Sequence, residues 1–366
     1  MPTNFNTLKN LYDNNQFVDL INDPDGIYWL KLRSISRAPQ LRELCRRAGI
    51  DYEGIGYRQL FKHIYDNRPK EQASEELIKD LYEEERGKRR ENEDYLISQL
   101  YQMKAFDWGG LYQNSLERTI VNNYVKQIQG WDELNSAIDN EIHMSMQGYV
   151  RCSWYNHWTS IIIEDIFKDH PKVLPAVGRV KKVDFFIADF PYDLKVTYFP
   201  DGYMKELRKD AELRPEFTEL KGFCRQEGIW YDRDKSKREL FPELLAKISE
   251  YPTESACDFI QSFAATRKQF VRSTIQDPTR LKVWLYENQG VRRFDAASRF
   301  YLILVNIDNL EVSWRLKRNK KLLADTINSH LDQISREHIE KLGIHFDWQG
   351  RVYETYADIL FVVVHR

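Results

Sequence analysis

Several features that would indicate other classes of protein are absent from this chain of 366 residues. The four cysteines, Cys45, Cys152, Cys224 and Cys257, stand far apart and form no CxxC pair, so neither a zinc site nor a redox motif is indicated. No apolar run approaches the roughly 18 residues that a membrane helix needs. The N-terminus also lacks a signal-peptide pattern. We therefore expect a cytoplasmic protein with reduced thiols and no membrane contact.

Motifs of nucleotide-driven motors and of serine hydrolases are missing as well. The chain contains neither GxxxxGK followed by Ser or Thr nor GxSxG. The formal net charge is only −2, so the overall charge does not indicate a nucleic-acid binder, although an enzyme that cuts DNA needs only a local positive cleft. The 30% charged and 13% aromatic residues are typical of a folded protein.

Residues 183–198 carry the most informative pattern that is present. Two runs rich in aromatic and β-branched residues flank a four-residue break that contains Pro191, which predicts a β-hairpin. The expected register pairs Ile187 with Tyr192. Because side chains alternate along a strand, one face of this hairpin is apolar and the other collects the ionisable groups.

The ionisable face carries Asp184, Asp193 and Lys195. In the expected register Asp184 lies opposite Lys195 and diagonal to Asp193, with Cα atoms about 7–8 Å apart. Mg²⁺ fits between two such carboxylates, since it commonly uses one or two carboxylates together with water and substrate phosphate. A metal can neutralise a phosphodiester and acidify water, and a neighbouring lysine can orient that water or take its proton. The alternative is a surface ion pair between Asp184 and Lys195.

The sequence resembles the PD-(D/E)XK nuclease core of restriction and repair endonucleases. The resemblance rests on the order of a helix, then Asp184, then Asp193-Leu194-Lys195, and it covers about residues 150–200. It implies that Asp184 and Asp193 bind the metal, that the Leu194 carbonyl is a further ligand, and that Lys195 positions the attacking water. The residue before Asp184 is Val183, where the family pattern has proline.

Members of this family often carry an acidic residue on the preceding helix, and Glu164 is the candidate here, as a catalytic group and metal ligand. A helix is expected around residues 154–169, with a broad apolar face and a polar stripe formed by Ser160, Glu164 and Lys168. The alternative reading is an i,i+4 ion pair between Glu164 and Lys168 on a solvated surface.

The chain is predicted to contain two regions. Residues 1–145 are mainly helical and would make DNA or partner contacts; they include a helix from Ala38 to a stop at Gly49 and a second helix from Tyr57. Residues 146–366 would form the nuclease domain, with buried strands at 299–305 and 358–364 and a helical stretch at 316–342. The expected fold class is α/β, with a restriction-endonuclease-like mixed sheet flanked by helices.

Two basic stretches, 267–282 and 314–321, are candidates for contacts to a polyanion. Cations that line a cleft would each contribute a salt-dependent phosphate contact. The alternative is that both stretches are solvated helix faces. The candidate nucleic-acid-binding residues are Arg267, Lys268, Arg272, Arg315, Lys317 and Arg318.

These features together predict a Mg²⁺-dependent DNA endonuclease in which Mn²⁺ can substitute. A type II restriction endonuclease is favoured, because a single chain of this size without a motor suits that role. Double-stranded DNA is the expected partner, and a palindromic site would favour a homodimer. The alternatives are a repair, recombination or other phage-defence nuclease on the same core, and a catalytically silent nucleic-acid-binding protein.

Overall fold

The computed structural model describes residues 2–107, 120–178, 180–233, 235, 237–288, 298–348 and 351–365. Its internal contacts divide the chain into two units. Residues 145 and 146, between which the sequence predicts a boundary, both belong to the first unit. The first unit comprises Met1–Leu194, Asp295–Arg299 and Trp314–Lys341, and the second comprises Lys195–Phe294, Phe300–Ser313 and Leu342–Arg366.

The described chain up to residue 107 is mainly helical. The helix predicted between Ala38 and Gly49 is confirmed: Pro39 lies in its first turn, where no backbone donor is needed, and Gly49 ends it in the left-handed conformation. The second predicted helix also begins at Tyr57. The bounds are α1 (Phe5–Asp13), α2 (Phe17–Asn22), α3 (Gly26–Ser34), α4 (Ala38–Ala48), α5 (Tyr57–Asn67), α6 (Glu71–Arg90) and α7 (Glu93–Leu100).

The helix expected before the hairpin is confirmed and is longer than predicted. The chain passes through π-helical turns at Val121–Val125 and Ile138–Ile142, with α8 (Trp131–Ala137) between them, into the 26-residue helix α9 (His143–Lys168). The expected apolar face of α9 is buried near its end, at Ile162, Ile163, Ile166 and Phe167.

Three short strands follow α9: β1 (Val173–Pro175), β2 (Phe185–Ile187) and β3 (Phe190–Tyr198). β2 pairs antiparallel with both β1 and β3, so the predicted hairpin is confirmed. Its turn contains only Ala188 and Asp189, with φ angles of +48° and +71°. Two successive positive φ angles are typical of the two-residue turn that joins paired strands most tightly.

The predicted register of this hairpin is wrong by two residues. Phe185, not Ile187, pairs with Tyr192, because the connection is two residues long rather than four. Phe186 accordingly lies opposite Pro191 rather than Asp193. Side chains alternate with a period of two, so this shift leaves each residue on its predicted face, whereas a shift of one would have reversed the faces.

The hairpin shares a hydrophobic core with the N-terminal helices. Leu174, Val183 and Phe186 pack in one buried cluster with apolar residues of α1 to α6, among them Trp29 and Leu77. Apolar burial contributes about 25 cal/mol per Å². Within the first unit, the hairpin therefore packs against the N-terminal helices.

The remaining elements complete a mixed α/β fold. The predicted strands near 299–305 and 358–364 are confirmed, and β4 is buried along most of its length, as its continuous apolar run predicts. The helical stretch expected at 316–342 is divided into three pieces. The bounds are α10 (Asp201–Asp210), α11 (Glu216–Gln226), α12 (Lys237–Ser249), α13 (Glu254–Gln276), α14 (Thr279–Asn288), β4 (Ser298–Asn306), a 3-10 helix (Leu310–Arg318), α15 (Lys320–Gln333), α16 (Arg336–Glu340), β5 (Gly343–Trp348) and β6 (Arg351–Val364).

The described strands form one six-stranded sheet in the order β1-β2-β3-β4-β6-β5. β5 and β6 pair antiparallel at one edge, and β1 and β2 pair antiparallel at the other. None of the described helices combines the length and the apolar character that a bilayer crossing requires.

Candidate functional site

Asp184 is held by three hydrogen bonds at the start of the hairpin. Its backbone N–H donates to the Tyr192 carbonyl at 2.8 Å, and its carbonyl accepts from the Ala176 N–H at 3.0 Å. Its carboxylate oxygen Oδ2 accepts from the Leu194 N–H at 2.8 Å. The carboxylate is therefore held against β3, the strand that carries Asp193.

Negative charge is concentrated around Asp184. The pKa of its carboxyl is raised to about 6, first by burial and then by the carboxylates of Glu164 and Asp193. The Leu194 N–H and the Lys168 ammonium act in the opposite direction without cancelling the effect. A buried acid with two acidic neighbours favours either a proton or an added cation. The three candidate carboxylates predicted from the sequence are thus electrostatic neighbours.

The surroundings of Glu164 agree in part with both predictions made for it, an acid near the metal site and an ion pair with Lys168. It forms the i,i+4 ion pair with Lys168 that the alternative reading predicts. The pair does not lie on an open surface, however, since the Lys168 side chain is only 10% exposed and its Nζ also donates to the Ala176 carbonyl at 3.3 Å. Glu164 also raises the pKa of Asp184, so the two carboxylates are close enough to interact.

Helix α9, which carries Glu164, is fastened to α6 by buried ion pairs. The carboxylate of Asp165 lies 2.6 Å from the Arg89 guanidinium, and that of Asp169 lies 3.0 Å from Arg86. Arg86 is 3% exposed and also pairs with Glu93 at 2.9 Å. Arg86 and Asp165, at 3.7 Å, are both buried, and removing one partner of such a pair typically costs about 3–5 kcal/mol. These contacts hold α9, and with it Glu164, against α6.

Asp193 has a cationic neighbour that the sequence analysis missed. The Arg299 Nε lies 3.6 Å from Asp193 Oδ2, and both side chains are at most 10% exposed. Arg299 is the second residue of β4. One feature of the sequence indicates such a neighbour. A single arginine begins an otherwise apolar strand, and a buried guanidinium needs an acidic partner.

Lys195 follows Asp193 by two positions in β3 and is half-buried. Because side chains alternate along a strand, both residues leave β3 on the same side. The observed register also replaces the predicted direct pairing of Asp184 with Lys195, since the backbone and carboxylate of Asp184 bind Tyr192 and Leu194.

The donors around Asp184 fit a hard divalent cation. Carboxylate and carbonyl oxygens are the ligands that Mg²⁺ prefers, and it needs only one or two protein carboxylates. Asp184, Asp193 and the Leu194 carbonyl supply such oxygens, and the excess negative charge around Asp184 would be relieved by a cation. In the described residues, however, these acids do not form a group whose ligand atoms all lie within 4.8 Å of one another.

Among the described residues, a group of acids whose ligand atoms all lie within 4.8 Å of one another is formed by Glu71, Glu75 and Asp189. The Lys31 Nζ lies 2.6 Å from an oxygen of each of the three. The ammonium already supplies the cation there, so this group is a structural junction between α3, α6 and the hairpin turn. The sequence analysis did not identify it.

In the first basic stretch, 267–282, two of the three candidate cations form ion pairs within the second unit. Arg267 is 13% exposed and lies between Glu216 at 2.9 Å and Glu311 at 2.8 Å. Lys268 pairs with Asp308 at 2.6 Å. Arg272 is exposed. Of the three candidates in this stretch, only Arg272 therefore presents its charge to solvent as the polyanion prediction requires.

The second basic stretch is mostly buried in the first unit. Lys317 donates to the Asn156 side chain at 2.9 Å, and burial lowers its pKa to about 8. Arg318 donates to the carbonyls of Leu100 and Met103, both at 2.9 Å. Arg315 is exposed. Lys317 and Arg318 thus make hydrogen bonds inside the first unit, which the charge pattern alone did not reveal.

Comparisons with protein-family models, with curated proteins and with solved structures found no match for this chain.

Proposed function

We propose that this chain is a Mg²⁺-dependent DNA endonuclease that hydrolyses phosphodiester bonds. One observation carries the proposal: the buried carboxyl of Asp184 has Glu164 and Asp193 as electrostatic neighbours, and Asp193 precedes Lys195 by two positions on one side of β3. Clusters of acids with a strongly raised pKa are typical of functional sites. Glu164 and Asp193 each have a cationic partner, Lys168 and Arg299, yet the pKa of Asp184 remains raised.

Asp184 and Asp193 would hold the metal, with the Leu194 carbonyl as a further ligand and Glu164 as an outer carboxylate. When bound, Mg²⁺ supplies neutralisation of the phosphoryl oxygens and a water of lowered pKa. Mn²⁺, which prefers the same oxygen ligands, would substitute.

The residues of this chain would then have separate roles. Lys195 would orient the attacking water through its ammonium or take its proton. Arg299, whose Nε lies 3.6 Å from Asp193 Oδ2, would hold the Asp193 carboxylate in position. The Leu194 N–H, which donates to Asp184 Oδ2 at 2.8 Å, would leave the other oxygen of that carboxylate available to a cation.

The order of elements supports a restriction-endonuclease-like core as the finer description of the fold. Helix α9 carries Glu164, Asp184 precedes β2, and Asp193 and Lys195 lie on β3, which is the order that the PD-(D/E)XK resemblance requires. A type II restriction enzyme is the favoured biological role, acting as a homodimer on double-stranded DNA. A repair, recombination or other phage-defence nuclease on the same core is the alternative role.

Incubation of the purified protein with plasmid DNA and Mg²⁺ tests the proposal. We expect cleavage that EDTA abolishes and that Mn²⁺ restores. Discrete bands with a common end sequence would support restriction, whereas a smear would favour a nonspecific nuclease. Absence of cleavage with either metal, in a protein that still binds DNA, would instead indicate a catalytically silent nucleic-acid-binding protein.

A further inference from the structure

The second unit contains a cavity of about 270 Å³ whose charged lining residues are all cationic. It lies between helix α11 and the segment that leads into α12. We call it the basic cavity. Its lining residues are Phe217, Lys221, Arg225, Tyr231, Arg233, Lys235 and Leu240.

Two of the cations lie one helical turn apart on α11. Like charges at i and i+4 repel each other and destabilise a helix unless an anion is present. Lys221 Nζ lies 4.9 Å from the centroid of the Phe217 ring, and the Arg225 Nε donates to the Lys221 carbonyl at 3.2 Å. Within the described part of the chain, neither side chain has a carboxylate at ion-pair distance, in contrast to Arg267 with its two glutamates.

The other two cations, Arg233 and Lys235, are exposed and open the cavity to solvent. The Lys235 Nζ pairs with Glu243 at 2.7 Å, but Glu243 also pairs with Lys247 at 3.0 Å. An exposed pair of this kind contributes little, because solvent screens the two charges. A bound anion can therefore form an ion pair with Lys235, because Glu243 would still be paired with Lys247.

The exposure of Arg225, Arg233 and Lys235 favours a phosphodiester strand over an enclosed small anion, because a strand can reach these cations from solvent. The lining residues Tyr231 and Leu240 are buried. Arginine and lysine bind phosphate oxygens through charge-assisted hydrogen bonds, and such backbone contacts position a duplex without reading its sequence.

We propose that the basic cavity binds a backbone phosphate of double-stranded DNA through Lys221, Arg225, Arg233 and Lys235. The inference rests on the proposed function, since it locates a DNA contact of the same enzyme in the second unit. It also replaces Arg267 and Lys268, whose charges are matched internally, as the DNA-contacting cations of that unit.

The test compares two matched double variants of the full chain. Lys221→Ala with Arg225→Ala removes two i,i+4 cations from the basic cavity. Lys205→Ala with Lys209→Ala removes two exposed cations at the same spacing on α10, outside the cavity. Binding to a labelled DNA duplex is measured by fluorescence anisotropy in EDTA, so that no cleavage occurs, over a range of salt concentrations.

We expect the cavity variant to weaken duplex binding at least about tenfold at low salt. Its slope of log K against log salt should fall by about two, because two phosphate contacts are lost. The α10 variant should keep the wild-type affinity and slope. Equal behaviour of the two variants, or a wild-type protein that does not bind duplex DNA, would overturn the inference.

Two further arms separate the remaining explanations. Arg225→Lys, which retains the charge, should recover most of the affinity that Arg225→Ala loses; equal losses would indicate a folding defect and count against the cavity. Inorganic phosphate should compete only weakly with the duplex, and strong competition would identify a small-anion site instead. Cavity-dependent binding without any cleavage would uphold this inference while contradicting the endonuclease proposal, and cleavage with cavity-independent binding would do the reverse.

Discussion

The ammonium of Lys31, on α3, lies 2.6 Å from Oδ1 of Asp189 in the turn of the hairpin. The Lys31 side chain is 1% exposed, and its Nζ is also 2.6 Å from Glu71 and from Glu75 on α6. Burial acts to lower the pKa of Lys31, but the hydrogen bonds that its ammonium donates to the three carboxylates outweigh burial, so the pKa is raised. The turn that joins β2 to β3 is thereby fastened to the N-terminal helices.

Replacing Lys31 with methionine should destabilise the protein by at least about 2 kcal/mol, because three carboxylates then face one another without their cation. Denaturant unfolding measures the loss. The matched control is Lys9→Met, which breaks an exposed pair with Asp13 and should cost less than about 1 kcal/mol. Equal losses in the two variants would show that the Lys31 junction does not fasten the hairpin.

The same junction explains why the sequence predicted the hairpin but not its turn. Alternation of side chains was sufficient to identify both strands and to assign their faces. The turn was predicted as four residues, because alanine at a φ of +48° is unfavourable for an L-residue and no local rule would select it. Asp189 is held by Lys31, which lies 158 residues earlier in the chain, and a contact at that separation cannot be read from local pattern.

Asp184→Asn should stabilise the protein in EDTA at neutral pH, by about 2 kcal/mol. The folded-state pKa of Asp184, about 6, lies above its ordinary value of 3.8, so ionisation of Asp184 costs stability as pH rises through about 6. The gain from asparagine should therefore disappear as pH falls toward 4. Thermal unfolding of both proteins at several pH values measures it, and a destabilised variant at neutral pH would contradict the buried charge.

Arg299→Gln should tighten Mg²⁺ binding about tenfold while lowering the rate of cleavage. The guanidinium lies 3.6 Å from Asp193 Oδ2, so its removal leaves a buried carboxylate with a stronger attraction for an added cation. Isothermal titration with Mg²⁺ measures the affinity. Arg315→Gln, which removes an exposed arginine, is the control and should leave the affinity unchanged. Weaker Mg²⁺ binding by Arg299→Gln would mean that Arg299 does not compete with a cation for Asp193.

Charge patterns in the sequence identified basic stretches but not their partners. Arg267 was a candidate for phosphate contact because its neighbourhood in the sequence is basic, yet Glu216 and Glu311 enclose it in the folded chain. Arg299 was passed over because it begins an apolar strand, although its Nε lies 3.6 Å from Asp193 Oδ2. Which cations are matched internally depends on tertiary contacts, whereas the faces of α9 and of the hairpin depend on local periodicity.

Single-turnover cleavage of duplex DNA by the wild-type protein, Asp193→Ala and Lys195→Ala tests the central claim most directly. With Mg²⁺ present, we expect the wild type to cut, and each variant to lose at least about 100-fold in rate. Lys195→Ala should unfold at nearly the wild-type temperature, whereas Asp193→Ala, which removes the carboxylate beside the buried Arg299, should unfold at a lower temperature. Both variants should be folded at the assay temperature and bind the duplex with similar affinity. Wild-type cleavage rates in either variant would contradict the assignment of the hairpin as the catalytic centre.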